Sequence, residues 1–437
     1  MPPTEETGLL THIDGVDEGT VRRKTVTRAV VRGTLLVVFA VALAVVLLYN
    51  DLGELAGKLP KDPHKAAAVL LDQAPVIDGH IDLPELIRTV YANNASAVEL
   101  DKPTRGHVDI PRIRKGKLGG FFWSVYVDCP SDAGEEFINA TWRVRDTLEQ
   151  IDISHQLIEK YRETFELTLT AADITSAISR GKVASLLGVE GGHQLGNSLG
   201  VLRTYYALGV RYMTLTHVCH NAFADSSGLF TGIEPLHHGL SPLGEALVYE
   251  MNRLGMLVDL SHTSDDTALQ ALNISRAPVI FSHSAARALH DIPRNVPDEV
   301  LKKVGTGPGQ QDGVVMVNFY PAFVSDHPDE ADVSTVADHI DYIASVTSRK
   351  HVGIGSDYDG IETTPIGLED VSKYPALIAE LYIRGWGKRD LAGLTGANLL
   401  RVKAGAEQVA LQMAREGALP AADIYEKRPD LPSRRDH

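Results

Sequence analysis

The sequence predicts an α/β protein of the (β/α)8 barrel class, and three observations carry that prediction. Eight apolar, β-rich runs recur along the chain, and stretches with helical spacing of apolar residues separate them. Most of the runs are near-continuously apolar, as strands of a parallel sheet buried on both faces should be. Strand then helix, about eight times over roughly 330 residues, is the repeat of a barrel with insertions. A doubly wound open sheet is the alternative. No glycine-rich dinucleotide fingerprint follows the first run and no P-loop is present, which counts against its nucleotide-binding versions.

In chain order, the first element stands apart from the barrel. Gly33 to Tyr49 holds no charge, and Ala29 to Val31 extend the apolar run across Arg32. Such a length is enough for a helix to cross a bilayer. Arg22, Arg23, Lys24, Arg28 and Arg32 precede the crossing, while Asp51 and Glu54 follow it. By the positive-inside rule, residues 1–32 stay cytosolic and everything after Tyr49 is lumenal or extracellular. The expectation is a transmembrane signal-anchor helix over 33–49 in a single-pass type II membrane protein of the secretory pathway or cell surface. A cleaved signal peptide competes with it, disfavoured by the long polar N-terminal region. No apolar tail closes the chain, so no GPI signal is expected.

Residues 50–73 are charged and punctuated by Pro and Gly, and read as a stalk or linker with some helix near His64–Leu71. The barrel is expected over 74–425, with 426–437 a C-terminal tail. Its strands are Pro75–Asp78, Gly120–Val127, Val183–Val189, Val210–Thr216, Met256–Leu260, Pro278–Phe281, Val314–Phe319 and His351–Gly355. Between them, Phe137–Tyr161 carries apolar residues close to a helical period. Ser241-Pro-Leu-Gly-Glu opens a helix with proline at its first position, and Ala246–Leu254 continues it to Gly255. Ser264-Asp-Asp-Thr starts another, and Ser334–Thr347 forms a further one.

Composition sets the outer bounds. An apolar fraction of 44% and a charged fraction of 23% are those of a globular protein. A formal charge of −15 without any basic block argues against nucleic acid as a partner. Cys129 and Cys219 permit one disulfide, although spacing alone does not show that they meet. Asn94-Ala-Ser, Asn139-Ala-Thr and Asn273-Ile-Ser are glycosylation acceptors, in agreement with an exported domain.

The chemistry gathers where a barrel puts it, at the C-terminal ends of the strands. The first run leads into His80 and Asp82, the third into Glu190, the fourth into His217, the fifth into His262, the sixth into His283 and the eighth into Asp357. Any one of these is unremarkable as a loop residue. Their recurrence at most strand ends points to one shared site. Three imidazoles and two carboxylates exceed the needs of a single tetrahedral zinc. Two zinc ions sharing a carboxylate would use His80, Asp82, Glu190, His262 and His283. Glu190 is the natural bridge, with Gly188 before it and Gly191-Gly192 after it letting backbone come close. A water bridging the two ions would ionise near neutral pH. His217, Arg294 and Asp357 are left as non-ligands, and Asp78 reads as a supporting residue.

These residues lie in segments that resemble the membrane (renal) dipeptidases, zinc metallopeptidases on a (β/α)8 barrel of the metal-dependent hydrolase type. The segments are Asp78-Gly-His-Ile-Asp, Gly188-Val-Glu-Gly-Gly, Met213-Thr-Leu-Thr-His, Leu257-Val-Asp-Leu-Ser-His, Phe281-Ser-His-Ser, Arg294-Asn-Val-Pro-Asp and Gly355-Ser-Asp-Tyr-Asp-Gly. The resemblance runs from about Ala74 to Val402. The resemblance implies that His80, Asp82 and Glu190 bind one zinc and that Glu190, His262 and His283 bind the other. It implies that His217 and Arg294 lie in the substrate pocket and that Asp357 is the acid/base. It further implies a Cys129–Cys219 disulfide, worth roughly 4–5 kcal/mol for so long a loop in the chain-entropy picture, and a homodimer.

On that resemblance the expected substrate is a dipeptide. Its scissile carbonyl is attacked by the dizinc-bridging hydroxide, and His217 stabilises the oxyanion. Arg294 holds the C-terminal carboxylate, with Tyr320 at the end of the seventh run assisting. The alternative keeps the dinuclear site and changes the substrate to a β-lactam or an N-acyl amino acid. Glu190 disfavours the branch of such barrels in which a carbamylated lysine bridges the metals. One departure concerns attachment: many animal members of the family carry a C-terminal GPI signal, where this chain has an N-terminal apolar segment.

Overall fold

A computed structural model describes residues 58–129 and 142–427. The expected signal-anchor helix over 33–49, the segment before it and the acceptor Asn139 lie outside the described residues. Among those described, no helix is long and apolar enough to cross a membrane.

The strands are β1 (Val76–Ile81), β2 (Leu118–Val125), β3 (Phe165–Leu167), β4 (Val183–Glu190), β5 (Val210–Thr214), β6 (Leu257–Asp259), β7 (Val279–Ser284), β8 (Gly313–Val317) and β9 (Val352–Ile354). Eight of them follow one another as β1-β2-β4-β5-β6-β7-β8-β9, all pairs parallel. The last approaches the first. Ile81 bridges Tyr358, the Asp357 amide donates to the His80 carbonyl at 3.0 Å, and the Asp82 amide donates to the Tyr358 carbonyl at 2.8 Å. The result is the nearly closed parallel barrel that the sequence predicts.

Period-two alternation divides the strand residues between two cores. Ile77, Phe122, Leu186, Tyr212, Leu257, Ile280 and Val314 form the interior cluster. Phe121, Trp123, Leu187, Val189, Met213, Val258 and Val315 pack outward with the helices. The helices begin where the sequence says they should. Ser241 accepts from the Gly244 amide to open Pro242–Leu254, and Gly255 closes it at φ 78°. Ser264 caps Asp265–Ile274, and a reciprocal Asp332/Thr335 pair caps Val333–Thr347.

Three features differ from the sequence reading. Of the stalk or linker expected over 50–73, the helix expected near His64–Leu71 is present over residues 63–73, but it buries Ala66, Ala67, Leu70 and Leu71 against helix Tyr374–Ile383. The Pro and charges there mark a helix start on an amphipathic segment, so this stretch joins the barrel's outer layer. β3 has no counterpart among the expected runs. Three residues with a glutamate in the middle are too short to show alternation, and they pair only with β4, off the barrel path. β1 and β7 continue to Ile81 and Ser284, past the expected ends at Asp78 and Phe281. Their polar residues stay extended because they find partners inside the barrel.

Candidate active site

The site starts from two glycines. A Cβ on Gly79 would stand 2.6 Å from the Ser282 carbonyl, so its absence lets β1 run close to β7. A bulge follows, with Asp78 paired to Phe121 but Ile81 already paired to Trp123. His80 sits within it. A Cβ on Gly188 of β4 would fall 2.2 Å from the Tyr212 ring, so its absence makes room for that ring. The Tyr212 hydroxyl lies 2.8 Å from His80 Nδ1 and so fixes the imidazole, leaving Nε2 buried with no hydrogen-bond partner.

Around that nitrogen the expected ligands converge. His80 Nε2 is 3.2 Å from Asp82 Oδ2 and 3.6 Å from Glu190 Oε1. The same Glu190 oxygen is 3.1 Å from His262 Nε2 and 3.2 Å from His283 Nε2, and those two nitrogens are 3.0 Å apart. His217 Nε2 stands further off, at 3.8 Å. Ligand atoms of His80, Asp82 and Asp357 form a further group within metal-binding reach, as do those of Glu190, His217 and His262. All seven residues read from the strand ends therefore meet at one place. His262 and Asp357 hold left-handed backbone, φ 63° and 67°. For residues with a Cβ this costs of order 1–3 kcal/mol each, sustained by the surrounding fold.

A second set of side chains orients the first. Asp259 accepts from Thr214 Oγ1 and Ser282 Oγ, both at 2.6 Å, and Ser282 Oγ in turn meets His283 Nδ1 at 2.9 Å. Asp78 accepts from the amides of His80 and Ser356 and from the Tyr374 hydroxyl at 2.6 Å. It ties β1 to the loop after β9 and is a supporting residue, as read. Burial pushes its carboxyl up to about 6.

Burial by itself would raise Glu190, but the imidazoles of His80, His217, His262 and His283 hold it well below the usual carboxylate range. Burial, with the Arg294 charge nearby, holds His262 and His283 well below the usual imidazole range, so both are neutral with a nitrogen lone pair to give. Burial raises Asp357 well above a normal carboxyl, with Asp82 and Glu190 adding to it.

Arg294 is buried rather than on the surface. It donates to Ser284 Oγ at 3.1 Å and to the His283 carbonyl at 2.7 Å, and its Nε has no partner. Two of its five donors are thus engaged. Tyr320 packs near those donors through Phe323. Its hydroxyl donates to Glu362 at 3.3 Å, and the Phe323 ring, against which it packs edge-on, is the group that faces Arg294. Cys129 and Cys219 form a disulfide with Cα atoms 6.1 Å apart, pinning the loop after β2 to the segment just past His217. Asn94 and Asn273 are exposed.

Three nearby residues escaped the sequence reading. Tyr212 lies in the middle of an apolar run, where a phenol reads as core. Tyr126 follows β2, its ring centred 4.6 Å from that of His217. Glu85 lies in the first turn of helix Leu83–Tyr91, and burial beside Asp82, Glu190, Asp128 and Asp357 pushes it up to about 9. Its position three residues after Asp82 was the available signal.

The donor set suits metal ions. Imidazole and carboxylate are metal ligands, and buried His80 Nε2 and Asp82 Oδ1 have no hydrogen-bond partner among the described residues.

A family model described as membrane dipeptidase, peptidase family M19, matches residues 64–417. A dipeptidase of Schizosaccharomyces pombe, itself uncharacterized, is 46% identical over 363 residues, 82% of this chain and 87% of that protein. Dipeptidase aclJ of Aspergillus oryzae is 46% identical over 360 residues, 81% of this chain and 83% of its own length. Among solved structures, a metallopeptidase of Rhodobacter sphaeroides liganded with a phosphinate mimic of the dipeptide L-Ala-D-Ala is 26% identical with a TM-score of 0.67. It covers 76% of this chain and 99% of that one. The dipeptidase AC of family M19 is 27% identical with a TM-score of 0.67, covering 76% and 98%.

Proposed function

The chain belongs to the membrane dipeptidase family, peptidase family M19, and is a dipeptidase; from that premise we propose that it cleaves free dipeptides with two zinc ions bridged by Glu190. The observation that carries the reading is the single Glu190 oxygen that the Nε2 atoms of His80, His262 and His283 all approach, at 3.6, 3.1 and 3.2 Å. Asp82 adds a carboxylate 3.2 Å from His80 Nε2. Zinc ions held there would supply Lewis acidity toward the scissile carbonyl and a water ionised near neutral pH.

The remaining steps fall to the chain's own residues. Asp357, whose buried carboxyl has a raised proton affinity, takes the proton of the attacking water and passes it to the leaving nitrogen. His217, kept neutral by burial, donates to the developing oxyanion. Arg294 binds the substrate's C-terminal carboxylate with the donors that Ser284 and His283 leave free. The dipeptide mimic bound to the Rhodobacter sphaeroides relative supports that substrate class. The proposal places the barrel outside the cytosol, anchored by the helix over 33–49 as a type II protein, glycosylated at Asn94, Asn139 and Asn273, and paired as a homodimer.

The test is a substrate panel with metal analysis. Dipeptides should be hydrolysed in preference to N-acetyl amino acids and a β-lactam, and a chelator should abolish the activity. Faster turnover of N-acetyl amino acids, or activity indifferent to chelation, would overturn the reading.

A further inference from the structure

Strand order sets which loops face each other across the mouth. In the ring β1-β2-β4-β5-β6-β7-β8-β9, the loops after β1 and β2 stand opposite those after β6 and β7. Arg294, the guanidinium of the mouth, follows β7. The opposite sector holds carboxylates. Asp82 follows β1 and opens the helix Leu83–Tyr91, and Glu85 lies in that helix's first turn. Past β2, the Tyr126 hydroxyl donates to Asp128 at 3.2 Å while its ring packs on His217.

Glu85 is half-buried, and its side chain has no hydrogen-bond or ion-pair partner among the described residues. The charges acting on it are those of Asp82, Glu190, Asp128 and Asp357. Arg88, one turn further along, is committed to Asp146 at 3.0 Å and Glu149 at 3.1 Å. On the same turn as Glu85, Asp82 Oδ1 is buried without a partner. Two divalent cations would be matched by Asp82, Glu190, Asp357 and one ionised water, which leaves Glu85 and Asp128 in surplus, and Asp128 already accepts from Tyr126. A half-buried carboxyl whose strongest electrostatic neighbours are four carboxylates is a place that a cation relieves.

We propose that Glu85 determines specificity by binding the free ammonium group of the dipeptide, so that the mouth reads both ends of a zwitterion: carboxylate at Arg294, ammonium opposite at Glu85. This rests on the dipeptidase reading and adds the group that makes an unblocked N-terminus part of recognition. It explains how one site would favour a free dipeptide over an N-acyl amino acid of the same length, since both satisfy Arg294 and only the first satisfies Glu85.

The experiment uses the full chain and two ligands with the same carboxylate end, Ala-Ala and its des-amino analogue propanoyl-alanine. Wild-type protein should show kcat/KM for Ala-Ala at least about tenfold above that for propanoyl-alanine, the scale of one charge-assisted hydrogen bond. Glu85→Gln should raise KM for Ala-Ala about ten- to hundredfold, with kcat within about threefold and inhibition by propanoyl-alanine unchanged. Glu85→Asp should restore most of the affinity. An unchanged KM in Glu85→Gln, or equal weakening of both ligands, would overturn the assignment, as would equal wild-type rates on the two. Wild-type protein inert toward dipeptides would instead refute the dipeptidase reading itself.

Discussion

The helical layer and the mouth of the barrel treat buried charge in opposite ways. In the layer, Arg384 donates to Glu380, Asp338 and Asp341 and twice to Ser334, and Trp386 Nε1 meets the second Asp341 oxygen at 2.7 Å. At the mouth, the more deeply buried Arg294 bonds only neutral oxygens and leaves Nε bare. His80 Nε2, Asp82 Oδ1, His217 Nδ1 and His262 Nδ1 are likewise buried without a hydrogen-bond partner among the described residues. Each such atom costs about 1–3 kcal/mol. Left-handed backbone at His262 and Asp357 adds to that cost. In the layer, the Arg384 and Trp386 network finds its partners among the described residues. The mouth instead gathers several unpaired atoms beside its candidate metal ligands, which is what a site built for metal ions and a substrate would show.

The sharpest way to break this contrast is Asp357→Asn. It should cut turnover roughly a hundred- to ten-thousandfold, the range for loss of a general acid/base, while zinc stays at two per chain. The sign for stability is opposite. Burial, with Asp82 and Glu190, holds the folded carboxyl above its unfolded value. Its contribution to stability is therefore present below the unfolded value and lost as pH rises through the folded one. At neutral pH the asparagine variant stripped of metal should then unfold no earlier than the stripped wild type, as followed by a thermal melt. Loss of both metals would make Asp357 a ligand.

Arg384→Ala probes the other region and should have the smaller effect. It should lower stability by about 1–3 kcal/mol, because its partly exposed partners lose their donor. It should leave kcat/KM within about twofold, measured beside denaturant unfolding. A comparable loss of activity would mean that layer and mouth are coupled.

Much of this was legible in the residues. A strand end followed by His, Glu or Asp is visible because the apolar run stops there, and the seven residues so marked do meet at one place. Other features were hidden for physical reasons. Asp78 and His283 sit inside strands that the sequence ends early, since a charged or polar residue reads as a boundary until its buried partners are known. Tyr212 is indistinguishable from core in a run such as Val210–Thr214, and only the Gly188 contact reveals what its hydroxyl does. Glu85 belongs to a helix start, where an acidic residue ordinarily complements the dipole. Tyr320 occupied a strand end as Asp357 does, yet its hydroxyl went to Glu362.

The central claim is that the mouth is completed by two cations. Zinc titrated into the metal-stripped protein, followed by calorimetry and thermal unfolding together, tests it most directly. The account predicts saturation at two equivalents and a rise in the unfolding midpoint across both, as binding to the folded state alone requires. Saturation at one equivalent, or a midpoint that does not move, would contradict it.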